Sequence, residues 1–191
     1  MFLKRSDPYA LVVSMTGVKM GDHVLQVGCA DGGRLGAIAS KVGLSGRAVL
    51  VAPDESSASR ARKGAEDAGV LVDVEVAPPT RLPSESDGFD LAIVDDTGGL
   101  MGSMCAEDRV ASVRELARVV RPGGRVMIIG AAPRGGFGAL LSRAQSGPPF
   151  AASGDAMKSL EADGFRSVRT LAEREGLVIV EGIKPRAGGA G

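Results

Sequence analysis

The chain has 191 residues, with 28 Gly, five Phe, one Tyr and no Trp, and that length suits one domain with a real core. Apolar residues make up 44% and charged residues 24%, which excludes wholesale disorder. Lys plus Arg equals Asp plus Glu at 23 each, which argues against a protein that binds nucleic acid through a broad positive surface.

Short apolar runs alternate with longer helical patterns along the chain. His23–Val27 reads as a first strand, and the Gly-rich stretch 28–33 follows it. Leu35, Ile38, Ala39 and Val42 then repeat at helical spacing, with Gly43 as a natural stop. Ala48–Ala52 reads as a second strand. After Pro53, a helix over Ser56–Ala68 carries a small-residue face, with Asp54 or Ser56 as its cap. Leu71–Val76 and Leu91–Val94 are the expected third and fourth strands. From Glu107 to Val120 one helical stripe holds Val110, Val113, Leu116, Ala117 and Val120, all expected in the core. Arg121-Pro-Gly-Gly124 stops that helix. Arg125–Ile129 is the expected fifth strand, and helices are expected over Phe137–Ala144 and Ala156–Ala162. Two β-like runs close the pattern, Phe165–Leu171 and Leu177–Ile183, with no helix between them.

Alternating strands and helices imply an α/β domain with a mostly parallel sheet, since parallel neighbours need a crossover helix. The last two strands lack one and are expected to run antiparallel to each other. A single domain is expected over residues 1–184, with a flexible tail over 185–191. Cys29, Cys105 and the single His23 give neither a disulfide framework nor Cys/His metal spacing, so no metal site is expected. No segment approaches the roughly 18 apolar residues that would span a bilayer. The apolar run Tyr9–Val13 is too short for a signal peptide, so a cytoplasmic location is expected.

Open α/β sheets bind ligands beyond the carboxyl ends of their strands. That rule selects residues 28–33, 52–55, 77–82, 95–99 and 130–136. Asp95 and Asp96, at the end of the fourth strand, are the candidates for orienting an amine or taking a proton. Their alternative role is to cap the turn that follows. Cys29 reads as a small packing residue. Arg134 is placed to meet an anionic substrate or to be solvated, and Tyr9 to lie over a ligand or to staple the first helix. His23 falls on the opposite edge of the sheet.

Three stretches carry a resemblance. They are Val24-Leu-Gln-Val-Gly-Cys-Ala-Asp-Gly32, Leu82-Pro83 with Gly88-Phe-Asp-Leu-Ala-Ile-Val-Asp95, and Glu115-Leu-Ala-Arg-Val-Val-Arg-Pro-Gly-Gly-Arg-Val-Met127. From about Gly21 to Lys184 the chain resembles the class I S-adenosylmethionine-dependent methyltransferases. The resemblance implies a three-layer Rossmann-like fold with seven strands in the order 3-2-1-4-5-7-6 and an antiparallel strand near one edge. It implies S-adenosylmethionine as cofactor. Gly28, Cys29, Ala30, Asp31 and Gly32 would face its amino-acid part, and Gln26 and Asp95 would also contact it. Ala52, Pro53 and Asp54 would lie by the ribose, and Pro79, Thr80, Arg81 and Leu82 by the adenine.

The sequence departs from the family pattern at specific places. Gln26 stands where the family has an acid, Ala52 replaces the ribose acid, Pro78 the adenine acid, and Ala30 the middle glycine. Two lost hydrogen bonds to charged groups would cost about 3–6 kcal/mol without replacement. Asp54, two residues past Ala52, is the expected substitute for the ribose acid. The leading reading is a methyltransferase acting on a small molecule. The alternative is a non-catalytic relative that serves as a subunit or interaction module, alone or in an oligomer.

Overall fold

A computed structural model describes residues 7–133 and 149–186. The expected helix over Phe137–Ala144, Arg134 and most of the expected tail lie outside the described residues. The elements run α1 (Ala10–Thr16), β1 (His23–Val27), α2 (Gly32–Val42), β2 (Arg47–Ala52), α3 (Glu55–Ala68), β3 (Asp73–Val76) and β4 (Phe89–Asp96). They continue with α4 (Ala106–Val119), β5 (Val120–Ala131), α5 (Asp155–Ala162), β6 (Arg166–Arg174) and β7 (Leu177–Ile183).

The seven strands form one sheet in the order β3-β2-β1-β4-β5-β7-β6. β1 to β5 are parallel, with Val24 opposite Ala48 on one side and Leu91 on the other. β7 runs antiparallel to both β5 and β6, as a hairpin connection requires. Alternate side chains feed two cores. Leu25, Val27, Ala92 and Val94 pack with Val113 and Leu116 of α4 and Leu160 of α5. Val24, Ile93 and Met127 pack with Val12 of α1 and Ile38 of α2. This is the expected three-layer α/β arrangement.

Several boundaries differ from the sequence reading. The third strand starts at Asp73, and Leu71 is 84% exposed. Gly69 ends α3 in the left-handed region and Val70 N–H closes onto Ala65 O, so the next residues turn instead of pairing. The fifth strand starts at Val120, because Val120 already pairs with Phe89. The Pro-Gly-Gly stop is absorbed as a bulge, with Gly123 at φ +81°, before the ladder resumes at Leu91 and Arg125. Val110 is 40% exposed, so the buried stripe of α4 begins at Val113. Among the described residues, no helix is long and apolar enough to cross a membrane.

Candidate functional site

Backbone hydrogen bonds gather the selected segments at the carboxyl edge of the sheet. Gly28 N–H donates to Val51 O, and Ala77 N–H to Ala52 O. Ala30 N–H donates to Asp95 Oδ2 at 2.9 Å. The Gly-rich turn therefore sits between β2 and β4, with the 77–82 segment on the far side of β2.

The glycines of the turn serve different neighbours. Gly28 has φ +79°, and a Cβ there would lie 2.8 Å from Leu100 Cδ2 and 3.2 Å from Asp95 O. At Gly32 a Cβ would meet Arg60 O and Gly64 Cα, so this glycine lets α2 cross α3 closely. One at Gly33 would enter the Tyr9 ring. Tyr9 itself donates to Asp31 Oδ1 at 3.1 Å, which anchors the start of α1 over the turn.

Asp31 caps α2, accepting from Gly33 N–H at 2.9 Å and Arg34 N–H at 3.2 Å. Arg34, in the first turn of α2, reaches across to β4. Its Nη1 donates to Asp95 Oδ1 at 2.8 Å and to Thr97 Oγ1 at 3.0 Å. The Thr97 backbone N–H and hydroxyl also donate to Asp95 Oδ1. Asp95 is 2% exposed and has donors from three segments, so it braces the turn against the β4–α4 loop. Asp96 is 3% exposed and accepts from Met101 N–H at 2.6 Å. Burial pushes its carboxyl up to about 6, against the opposing pull of the Met101 and Gly102 N–H groups. The expectation of a proton-transfer pair thus meets two enclosed carboxylates already engaged with the backbone and Arg34.

Arg34 lies outside the segments that the strand-end rule selects, whereas Thr97 falls within residues 95–99. A signal for Arg34 was present: it lies four residues before Ile38 on the apolar stripe of α2, where a charge needs an internal partner.

Cys29 is buried against Ala52, Ala58 and Ala61. Burial first, and then the charge of Asp95, push its thiol up to about 11, which suits a packing role. Gln26 is 2% exposed. Its Nε2 donates to Gly28 O at 2.9 Å, while Oε1 is buried with no partner among the described residues.

On the β2–β3 side, Ala52 is fully buried beneath α3. Pro53 turns the chain outward and Asp54 caps α3, accepting from Ser57 N–H at 2.7 Å. That N–H holds the exposed Asp54 carboxyl below its usual range. Arg60 Nε donates to Cys29 O at 2.8 Å and ties α3 to the Gly-rich turn. Pro79 and Thr80 are the middle residues of a turn closed by Arg81 N–H and Pro78 O. Ala77, Pro78 and residues 81–85 line an open recess of about 630 Å³, so of the expected adenine residues Arg81 and Leu82 face it and Pro79 and Thr80 do not line it. Beneath it, Glu115 accepts from Leu82 N–H at 2.8 Å, and Arg118 donates to Leu82 O and Ser84 O.

A family model described as "Methyltransferase domain" matches residues 24–124. Among curated relatives, the "Uncharacterized protein Rv1405c" of Mycobacterium tuberculosis is 32% identical over 132 residues, 69% of this chain and 45% of that protein. The ubiquinone/menaquinone biosynthesis C-methyltransferase UbiE of Bordetella parapertussis is 32% identical over 120 residues, 63% of this chain and 45% of that protein. The chain thus spans less than half the length of these relatives. In fold it is similar to a SAM-dependent methyltransferase from Aquifex aeolicus. The TM-score is 0.70 at 22% identity, covering 93% of this chain and 89% of that one. The matched span holds the Gly-rich turn, the ends of β2 and β3, and Asp95, so the chain belongs to the class I S-adenosylmethionine-dependent methyltransferase family.

Proposed function

We propose that the chain transfers a methyl group from S-adenosylmethionine to a small-molecule acceptor. The observation that carries this reading is the joining of the Gly-rich turn, the end of β2 and the 77–82 segment into one continuous edge by the Gly28–Val51 and Ala77–Ala52 hydrogen bonds. In this fold, that edge is where a ligand sits.

The residues fit the donor at two of its three parts. Beneath the turn, the unpartnered Gln26 Oε1 is an acceptor that a ligand's donor group would satisfy. The recess lined by Ala77, Pro78 and residues 81–85 suits a flat base, with Ala77, Pro78, Leu82 and Pro83 as its apolar lining. The ribose part lacks the family's acid, because Ala52 carries no polar group. Accordingly Gln26 and residues 28–32 would hold the amino-acid part, Asp54 would be the nearest acid to the ribose, and Arg81 and Leu82 would flank the adenine.

When bound, the donor supplies a methyl group on a sulfonium, open to displacement by an acceptor nucleophile. The chain's contribution would be alignment and exclusion of water, which supplies a large share of such a rate without an enzyme nucleophile. Asp95 would act through the shape of the turn, since its oxygens are occupied. A small acceptor is favoured because the chain has few aromatic residues on which bases could stack.

Isothermal titration with S-adenosylhomocysteine tests the reading. Binding in the micromolar to millimolar range, with one site per chain, is expected. No heat at millimolar ligand from a folded sample would refute it and favour the non-catalytic scaffold.

A further inference from the structure

Resting on the donor reading above, we infer that the recess beyond β3 holds the donor's base by its faces and takes hypoxanthine as well as adenine. Ala77, Pro78, Leu82 and Pro83 give the recess its apolar lining, and Arg81, Ser84 and Glu85 its polar side chains. Ala77 N–H donates to Ala52 O at 3.0 Å, so the recess adjoins the end of β2, on the ribose side of the edge.

The two purines have nearly the same shape and opposite polarity along one edge. Adenine offers an amino donor beside a ring-nitrogen acceptor, whereas hypoxanthine offers an oxo acceptor beside a ring N–H. A site tells them apart with fixed, water-excluded groups aimed at that edge, because the wrong base leaves those groups unpaired. In this lining Leu82 is the one buried residue. Its N–H donates to Glu115 Oε2 at 2.8 Å, and its C=O accepts from Arg118 at 3.0 Å, so both of its backbone groups are engaged inside the chain. Arg118 also takes Ser84 O at 2.7 Å. Pro78 and Pro83 carry no N–H and no polar side-chain atom, and both are exposed. Arg81 is a donor and Glu85 an acceptor, so between them they can answer either edge. Both are exposed, and water competes with each such contact.

Titration calorimetry on the unmodified protein tests this with three ligands. They are S-adenosylhomocysteine, S-inosylhomocysteine, in which an oxo group replaces the amino group, and S-ribosylhomocysteine, which has no base. Dissociation constants within about fivefold are expected for the two purine ligands, and binding at least about tenfold weaker than either for the third. A preference of more than about fivefold for one purine would overturn the inference and leave the donor reading standing. A smaller penalty for the ligand without a base would also overturn it, since the recess would then not hold the ring. Absence of binding by both purine ligands would overturn it together with the donor reading.

Pro78→Asp then places an ionised acceptor at the exposed rim. It is expected to favour S-adenosylhomocysteine over S-inosylhomocysteine by about tenfold, the scale of one charged hydrogen bond. An unchanged ratio would put the base edge away from this rim and overturn the inference. Should Pro78→Asp fail to fold, the three-ligand comparison on the unmodified protein still decides.

Discussion

Beyond β1 and β4, the carboxyl edge of the sheet is built from charges that answer one another inside the chain. Asp31 caps α2, Arg34 spans from that helix to Asp95, and Asp95 holds Ala30 and Thr97. Beyond β2 and β3 the same edge is built from backbone turns and apolar contacts. Ala52 lies flat beneath Ala58 and Ala61, Asp54 faces solvent, and the 77–85 segment leaves a recess. The difference follows from burial. A carboxylate enclosed between a turn and a helix must have donors within reach, so Asp95 came with its partners. A side chain at the mouth of a solvated loop carries no such demand. Ala52 is part of the core beneath α3, whereas Pro78 is exposed at the rim of the recess.

Asp95→Ala is the strongest way to break this comparison. It strands the Arg34 guanidinium, and urea unfolding is expected to show a loss of about 3–5 kcal/mol. A loss below about 1 kcal/mol would mean that the brace across β1 and β4 does not bear on stability.

Asp96 sharpens the same half through pH. Its carboxyl is raised by burial to about 6, above its value in the unfolded chain. The unfolded state then releases that proton first, so this group's contribution to stability falls as pH rises from about 4 to about 6. Asp96→Asn keeps an acceptor for Met101 N–H and removes the ionisation. It is expected to exceed wild-type stability by on the order of 2–3 kcal/mol at pH 8, with the gain vanishing below about pH 4. Thermal unfolding across that range checks it, and a gain independent of pH would contradict the assignment.

The smallest effect is expected on the open half. Asp54→Ala removes the cap of α3 and should lower the melting temperature by about 2–4 °C. If Asp54 also holds the ribose, S-adenosylhomocysteine affinity should fall about tenfold or more. If it only caps, the affinity should stay within about twofold. The Ser57 N–H bond uses one carboxylate oxygen, so both roles are compatible with the geometry.

Much of the framework was legible in the sequence, because local patterns determine it. Apolar runs at His23–Val27 and Leu177–Ile183 appear as strands with those same boundaries. The α3 small-residue face follows from spacing, as Ala58, Ala61 and Ala65 lie on one side of a helix, whereas the choice of Asp54 over Ser56 as its cap came from the structure. The bulge at Arg121–Gly124 was not legible: Pro-Gly-Gly reads as a stop, and only pairing with Phe89 keeps Val120 in the sheet. The third strand was overextended because Leu71 looks β-like, yet an edge position and the Gly69 turn leave it in solvent.

At the site the division is sharper. The sequence by itself determined that a Gly-rich turn, Asp95 and the 77–82 segment share one edge, since strand ends in a parallel sheet face the same way. Tertiary structure alone decided which partners those groups have. Arg34 and Asp95 are 61 residues apart and meet only when β4 is laid beside β1. The charge of a residue is local chemistry, but whether that charge is free or answered depends on contacts between distant segments, and no spacing in the chain encodes it.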